Sequence, residues 1–411
     1  MRVLRNVQRA RVHLIKRSLT SDGPLPAGFP VLSWMRAGID EDVFRYCRDR
    51  AFFEGMKMST VVQECYVLAD WLNWLARLGK EKAEAATSDY LKWDAIARSA
   101  GRLGPARQHR KQQVVWSFYH HLRSDSELGA ATAGFFGQIS NVRVSDSGVE
   151  EWSMKLRRRG GGTRRNPIVP SDEEVERVLD KLGEHDNPFL AERNFLIGQV
   201  EAKVGLRAMG AESLNIATLD AMLASEGIQV SGGSVGRLGS DKAEQIRIRM
   251  ELSRLLRSGR SVMEAVVVEK GGKRREVEMP IDLAKRLLDH VWGRRYALVR
   301  NRRGAGRRHD GRLFLSFTDA APLTRGTIKD LVKVAFVASG VRGSGHALRA
   351  SYLTRKAIDL LQEARRRYGN NFSPEDLMSE LARLAGHNHR KTLKSYLDVA
   401  RLREAMLQDL D

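Results

Sequence analysis

Apolar residues recur at three-to-four-residue spacing over residues 43–122, a periodicity typical of amphipathic helices. The clearest run follows Thr60 and comprises Val62, Tyr66, Ala69, Leu72 and Leu75. Thr60 and Gln63 have the spacing of a capping box, and Gly79 is placed to end this helix. The same pattern predicts further helices over 43–53, 88–100 and 107–122. Residues 39–130 are therefore predicted to form a four-helix bundle.

The tryptophans and cysteines of this bundle could belong to its core or serve a binding function. Four tryptophans are candidates either for the core or for stacking on bases, and their helical spacing favours the core: Trp71, Trp74, Trp93 and Trp116. Cys47 and Cys65, the two cysteines of the chain, lie among apolar residues in predicted helices. They are interpreted as small core residues because their number and spacing suit neither a disulfide framework nor a zinc site.

Two stretches lack a regular apolar pattern. Residues 1–38 are basic and then rich in glycine and proline, and they are predicted to be a mobile arm without a signal-peptide core. Residues 131–168 contain the basic and glycine-rich run 155–165, from which no stable core is expected. They are predicted to be a basic interdomain linker, either solvated or lying along a polyanion.

A second domain is predicted for residues 169–396, followed by a tail helix over 397–411. Ser171 and Glu174 form a capping box at its start. Helices are predicted at 188–204, 241–257, 281–295 and 324–339, with another beginning at Ser373-Pro374, and a short buried strand at 313–315. Residues 266–277 alternate around turn glycines and predict a β-hairpin. Residues 221–260 are interpreted as an insertion, open between a contact with DNA, a contact with a neighbouring protomer, and a surface loop.

Charge narrows the functional classes. The chain has 411 residues, enough for two or three domains, and a formal net charge of +20. So basic a chain favours a polyanionic partner, because neutralised phosphates release counterions. Apolar runs of membrane-spanning length do not occur in the sequence, so we expect a cytoplasmic protein associated with the nucleoid.

The chemistry is concentrated near the C-terminus. Residues 345–349 read G-H-A-L-R and contain His346 and Arg349, while L-A-G-H precedes Tyr396 and contains His387. A guanidinium binds a phosphate through a bidentate fork, and a tyrosine hydroxyl serves as a covalent nucleophile when its surroundings activate it. This set of side chains indicates phosphoryl transfer on a DNA backbone.

The order of these residues resembles the tyrosine recombinase family, which includes the phage integrases. The pattern His-x-x-Arg, then Leu-Ala-Gly-His, then tyrosine nine positions after that histidine is similar to the family's own, and the resemblance extends over residues 166–411, with a weaker match over 40–122. It implies a multidomain, mainly α protein. A helical core-binding bundle would precede a mixed α+β catalytic domain with a small antiparallel sheet.

The resemblance also implies a role for each residue. Arg207, in Gly-Leu-Arg, and Arg349 would bind the non-bridging oxygens of the phosphate, and His387 would add a hydrogen bond. His346 would orient or deprotonate Tyr396, the nucleophile. Lys270 would protonate the leaving 5′ oxygen, with Lys273 as the alternative. Glu212 would support Arg207; the family's glutamate normally follows that arginine by three positions, and a local insertion explains its displacement here.

The partners follow from the same resemblance. The expected substrate is duplex DNA with a specific recombination site, bound by a homotetramer, with no metal and no cofactor. Accessory proteins that bend DNA or set direction, and the subunit in which Tyr396 acts, are open. Basic residues of the bundle, the linker and the hairpin are candidate DNA contacts: Arg107, Arg110, Lys111, Arg158, Arg159, Lys273 and Arg274.

Three alternatives stand beside an integrase or resolvase of a mobile element. A type IB topoisomerase shares the arginine, lysine and tyrosine chemistry, but that group tends to have lysine where His346 stands. A telomere-resolving enzyme is the second. The third is a non-catalytic DNA-binding protein of the same fold, against which the complete set of catalytic residues argues.

Overall fold

The structure is a computed structural model, in which the chain forms two compact units that comprise residues 1–165 and residues 166–411. It describes residues 9–16, 25–35, 37–99, 105–124, 126–144, 150–155, 168–269, 272–301, 311–369, 372–385, 393–394 and 396–401. Of the helices in these residues, none combines the length and the apolar character that crossing a lipid bilayer requires.

Helices dominate the N-terminal unit, as predicted. They are α1 (Glu41–Phe52), α2 (Met58–Arg77), α3 (Thr87–Ser99), α4 (Pro105–Leu122) and α5 (Ser126–Ile139). Cys47, Cys65 and Trp71 are fully buried, and the other three tryptophans pack in or against the same core, which confirms the core interpretation. Gly79, with a φ of 69°, follows the last turn of α2 as expected.

The start of α2 differs from the prediction. The helix begins at Met58, and its N-cap residue Lys57 makes no side-chain capping hydrogen bond. The amide of Thr60 already donates to the carbonyl of Lys57 at 2.7 Å, so Thr60 lies within the first turn. The predicted capping box of Thr60 and Gln63 is therefore wrong.

The prediction of a mobile arm is wrong for two stretches of residues 1–38. They form β1 (Ala10–Leu14) and β2 (Pro30–Trp34), and β3 (Gly38–Ile39) completes an antiparallel sheet. Short apolar segments suffice here because Phe29 and Leu32 are buried in the core of the bundle. Asn73 of α2 ties down the sheet by exchanging two hydrogen bonds with the backbone of Ala10, at 2.8 and 3.1 Å.

The predicted linker also contains ordered structure. Residues 131–139 belong to α5, and β4 (Ser140–Val144) pairs with β5 (Glu150–Met154). Phe135 lies 4.6 Å from Tyr119 between ring centroids, and Phe136 lies 5.2 Å from Trp152. The prediction of a linker is therefore wrong for residues 131–144 and 150–154, because their aromatic side chains extend the core of the bundle.

The C-terminal unit combines a set of α-helices with one β-hairpin. The elements are α6 (Asp172–Gly183), α7 (Pro188–Lys203), α8 (Ala208–Ser213), α9 (Ile216–Ser225), α10 (Lys242–Arg257), β6 (Val262–Glu269), β7 (Lys273–Pro280), α11 (Ile281–His290), α12 (Tyr296–Asn301), α13 (Arg325–Ala338), α14 (Gly345–Tyr368) and α15 (Pro374–Ala385). The capping box of Ser171 and Glu174 is confirmed, with hydrogen bonds of 3.2 and 2.9 Å. The mainly α fold with small antiparallel sheets is confirmed.

Two local predictions need correction. Residues 313–315 are buried but form no strand, because only single bridges join Arg312 to Asn215 and Leu315 to Pro322. The segment 221–260 is not a surface loop. Its side chains Val235, Leu238 and Leu252 belong to the main core of the unit, and α10 begins at its N-cap Asp241 as the sequence indicates.

The predicted hairpin is confirmed and is longer than expected. β6 and β7 pair in an antiparallel register that sets Val267 opposite Arg275. Alternate residues of both strands face the core. At the turn end of the hairpin, this buried face carries two charged residues, Glu269 and Arg275.

Candidate active site

The Gly-Leu-Arg segment is shaped by the end of α7. Gly205 has a φ of 66°, a conformation that favours glycine, and a Cβ on it would overlap the ring of Tyr352. Leu206 is fully buried, and its amide donates to the carbonyl of Val200 at 3.2 Å. The chain then turns so that Arg207 becomes the N-cap residue of α8.

His346 and Arg349 lie one turn apart near the start of α14. Gly345 precedes them because a Cβ there would stand 2.5 Å from Oε2 of Glu201. The Arg349 side chain is buried and donates to two backbone carbonyls, those of Gly205 and Ala385. The second predicted arginine is thus held between the end of α7 and the end of α15.

Glu269 joins the arginines of the site. Its Oε2 accepts from Nη1 of Arg207, and its Oε1 lies 3.0 Å from Nη1 of Arg275 and 3.8 Å from Nη1 of Arg349. The side chains of Arg275 and Arg349 are 7% and 5% exposed, whereas that of Arg207 is 28% exposed. Among these three arginines, Arg207 is therefore the one most open to a ligand.

Tyr396 and His346 line the same cavity of about 390 Å³. Its other walls come from the loop before α14, from α14 itself and from one residue near the start of the unit: Arg342, Gly343, Ser344, Ala347, Ala350 and Ile168. Tyr396 is half-buried, and the charges of Arg349 and Arg207 influence the pKa of its hydroxyl. The candidate nucleophile Tyr396 and the imidazole of His346 thus face the same solvent-accessible cavity.

Burial and positive charge set the protonation of the site. Burial raises the pKa of Tyr396, while the charges of Arg349 and Arg207 act to lower it. Burial, Arg207, Arg349 and Lys329 lower the pKa of His346 below its ordinary 6.5, so its imidazole is neutral at pH 7. The pKa of Arg349 is lowered to about 9, chiefly by burial and then by Arg275 and Arg207.

Glu212 lies in α8, and its carboxylate caps another helix. Its Oε1 accepts from the amide of Arg325 at the start of α13, at 3.1 Å, and its carbonyl accepts from Nη1 of Arg312 at 2.6 Å. The carboxylate that contacts Arg207 through its side chain is Glu269. The supporting role inferred for Glu212 therefore stays a prediction with a structural competitor.

The other predicted residues fall into two groups. Lys270, His387, Arg158 and Arg159 lie outside the described residues. Arg107, Lys273 and Arg274 are exposed, whereas Arg110 pairs with Glu64 at 2.9 Å and Lys111 with Asp70 at 2.7 Å.

Sequence reasoning missed Glu269 and Arg275. The signal was present, because strict alternation along the hairpin sets position 269 on the face of Val267 and position 275 on the face of Val277. Two charges on a core-facing stripe require partners. Their partners lie far away in the sequence, on the segments that carry Arg207 and Arg349.

Comparison with known proteins gives matches among solved structures. No protein-family model and no curated protein matches the chain. The XerH site-specific recombinase bound to its palindromic difH substrate, in a post-cleavage complex, is 13% identical; the match covers 89% of this chain and 83% of that one, with a TM-score of 0.48. A lambda integrase dimer bound to a COC′ core site is 12% identical over 87% and 76%, with a TM-score of 0.48. The Tn1549 transposon integrase with circular intermediate DNA is 14% identical over 89% and 98%, with a TM-score of 0.47.

These three matches lie at 12–14% identity with TM-scores below 0.5, so the roles of residues rest on the geometry of this chain.

Proposed function

We propose that this protein is a site-specific DNA recombinase of the tyrosine type, which cuts and rejoins DNA through a 3′-phosphotyrosyl link. The observation that carries the proposal is the convergence of Arg207, Arg349, His346 and Tyr396 in one unit. Tyr396 and His346 face one cavity, and both arginines act electrostatically on both of them. Four residues separated by up to 189 positions, 396 minus 207, thus form one chemical environment.

The reaction is a transesterification at one phosphodiester of the DNA. The oxygen of Tyr396 attacks the phosphorus, and the bond to the 5′ oxygen breaks, so one P–O bond forms as another is lost. Guanidiniums suit the non-bridging oxygens because they stay charged and donate two parallel hydrogen bonds. Preorganised cations at the developing charge lower the barrier. A 5′ hydroxyl from another strand then reverses the step and completes the exchange.

Proton transfer follows from the protonation of the site. Burial disfavours the phenolate of Tyr396, so the attack requires an acceptor for its proton. His346 is neutral at pH 7 and lines the same cavity, so it can orient or accept that proton. By resemblance, Lys270 would donate a proton to the leaving 5′ oxygen and His387 would bind the phosphate.

The partner that suits this chemistry is duplex DNA. The net charge of +20 favours a polyanion, and Arg107 offers an exposed cation on the bundle. By resemblance, the active assembly would be a homotetramer on two duplexes, encoded by a mobile element and acting at the nucleoid. Residues 39–130 would be the core-binding domain and residues 169–396 the catalytic domain.

Covalent trapping tests the proposal. Duplexes retained by the protein from fragmented host DNA are nicked so that the short leaving strand diffuses away, and adducts are resolved on denaturing gels. We expect an adduct with the wild type and none with Tyr396→Phe, which retains DNA binding. Tyr368→Phe is the matched control, because it removes an exposed tyrosine hydroxyl from the same unit and should leave the adduct unchanged.

Each alternative predicts a different result. Adducts without sequence preference, together with relaxation of supercoiled plasmid, would indicate a type IB topoisomerase. Adducts that resolve into hairpin ends would indicate a telomere-resolving enzyme. Binding without adduct, or an adduct that persists in Tyr396→Phe, would refute the proposed reaction.

A further inference from the structure

Glu269 and Arg275 form a buried ion pair on the β6–β7 hairpin. Both side chains are 7% exposed, and the two charged groups lie 3.0 Å apart. A buried charge requires a partner, and here the pair has further charged neighbours. Glu269 also contacts Arg207 and Arg349, which come from two other segments of the unit.

Arg275 has a second anchor. Its Nη1 donates to the carbonyl of Ala385 at 3.1 Å, and Arg349 donates to the same oxygen. Ala385 is the last residue of α15, and the sequence continues into Gly386 and His387. Glu269 likewise ends β6, and the sequence continues into Lys270. The pair therefore fixes the points from which the chain enters the two remaining predicted site residues.

We propose that Glu269 and Arg275 are positioning residues of the active site. Glu269 holds the guanidiniums of Arg207 and Arg349 in place for the phosphate, and Arg275 anchors the end of α15. The inference rests on the proposed function and assigns to Glu269 the support of Arg207 that the sequence suggested for Glu212.

The balance of charge supports this role. Three guanidiniums surround one carboxylate, so a net positive charge remains for an anionic phosphate. Without the carboxylate, the three cations would repel one another in a poorly hydrated space. Arg275 and Arg349 both depend on this carboxylate, because burial and Arg207 lower the pKa of each guanidinium whereas Glu269 raises it. Glu269 thus stabilises the charged form of both guanidiniums as well as their orientation.

Glu269→Gln tests the proposal, because it retains shape and removes charge. Single-turnover adduct formation is measured on the nicked duplex that the wild type selects. We expect about 100-fold slower formation, the scale of a misplacement near 1 Å, with DNA affinity retained. The loss should appear in the rate at saturating DNA and not in the DNA concentration that gives half of that rate.

The same hairpin offers a matched control. Glu278 lies on β7 and pairs with Lys356 at 2.7 Å, without a contact to the three arginines among the described residues. Glu278→Gln should leave the rate unchanged. A rate for Glu269→Gln equal to that of Glu278→Gln would overturn the proposal, as would a loss confined to Glu212→Gln.

A second variant distinguishes a role of the charge from a purely structural role. Glu269→Asp retains the charge but shortens the reach, so its rate should lie between those of the wild type and of Glu269→Gln. It also serves if Glu269→Gln does not fold, as judged by its melting temperature. Equal rates in the two variants, when both fold, would contradict the role of charge. An absent wild-type adduct would instead refute the proposed function itself.

Discussion

Glu201 is a buried carboxylate without a hydrogen-bond partner for Oε2 among the described residues. It lies in the last turn of α7, is 1% exposed, and approaches Gly345 at the start of the helix that carries His346. Burial raises its pKa to about 8 from an ordinary 4.5. Between pH 4.5 and 8 the carboxyl group is therefore protonated and neutral in the folded unit, whereas it is ionised in the unfolded chain.

Replacing this group with glutamine gives a pH-dependent change in stability. Between pH 4.5 and 8 the native state binds one more proton than the unfolded state, so the free energy of unfolding of the wild type falls as pH rises. The slope is about 1.4 kcal/mol per pH unit, and the whole window is worth at most about 5 kcal/mol. Glu201→Gln is neutral throughout. At pH 5 the free energy of unfolding of Glu201→Gln should be about 1 kcal/mol lower than that of the wild type, because the buried amide is poorly solvated. At pH 8 it should be about 3 kcal/mol higher than that of the wild type.

Trp292 allows the C-terminal unit to be followed within the full chain. It is the single tryptophan of residues 166–411, is 2% exposed, and donates through Nε1 to the carbonyl of Val235 at 3.0 Å. Fluorine NMR of 5-fluorotryptophan at this position, assigned with Trp292→Phe, reports urea unfolding at pH 5, 6, 7 and 8. Glu176→Gln, on the exposed face of α6, serves as the control. A stability difference between Glu201→Gln and the wild type that is the same at pH 5 and pH 8 would refute the reasoning.

Two further predictions use matched pairs of variants. Gly205→Ala and Gly340→Ala both force alanine to a φ near 66–67°, at a cost of about 1 kcal/mol, but only Gly205 also meets the ring of Tyr352. Urea unfolding should therefore show a loss about 1–3 kcal/mol larger for Gly205→Ala, and equal losses would contradict the contact. Lys270→Ala should block cleavage, and sulfur in place of the bridging 5′ oxygen should rescue it, because a thiolate leaves without a proton. Rescue seen with Lys273→Ala alone would transfer the role to that lysine.

The elements that the sequence predicted are those specified by neighbouring residues. The amphipathic stripes of α2 and α6, the capping box at Ser171 and the hairpin all depend on spacings of a few positions. The Gly-Leu-Arg turn belongs to the same class, since the positive φ of Gly205 follows directly after a helix. Local spacing also led to the wrong cap at Thr60, because the amides of Thr60 and Val61 donate to the carbonyl of Lys57 and the helix has already begun.

The elements that were missed depend on distant partners. Ala10, Val12 and Leu14 alternate with polar residues along β1, but five residues are a short pattern. The sheet is held in place because α2 offers Asn73 and a core for Leu32. The network of Glu269 likewise joins positions 207, 275 and 349. The alternation of the hairpin shows that position 269 faces the core, but the sequence does not show which cations contact it there.

Glu201 and Glu269 show why burial alone does not fix the role of a carboxylate. Both residues are buried, and both lie next to segments that carry predicted site residues. Glu201 has no described cation among the causes of its raised pKa, so burial keeps it neutral beside the start of α14. Glu269 has three guanidiniums around it, so its charge organises the cations that a phosphate would meet. The same change to glutamine should therefore raise stability at one position at pH 8 and slow the reaction at the other, because their neighbours differ.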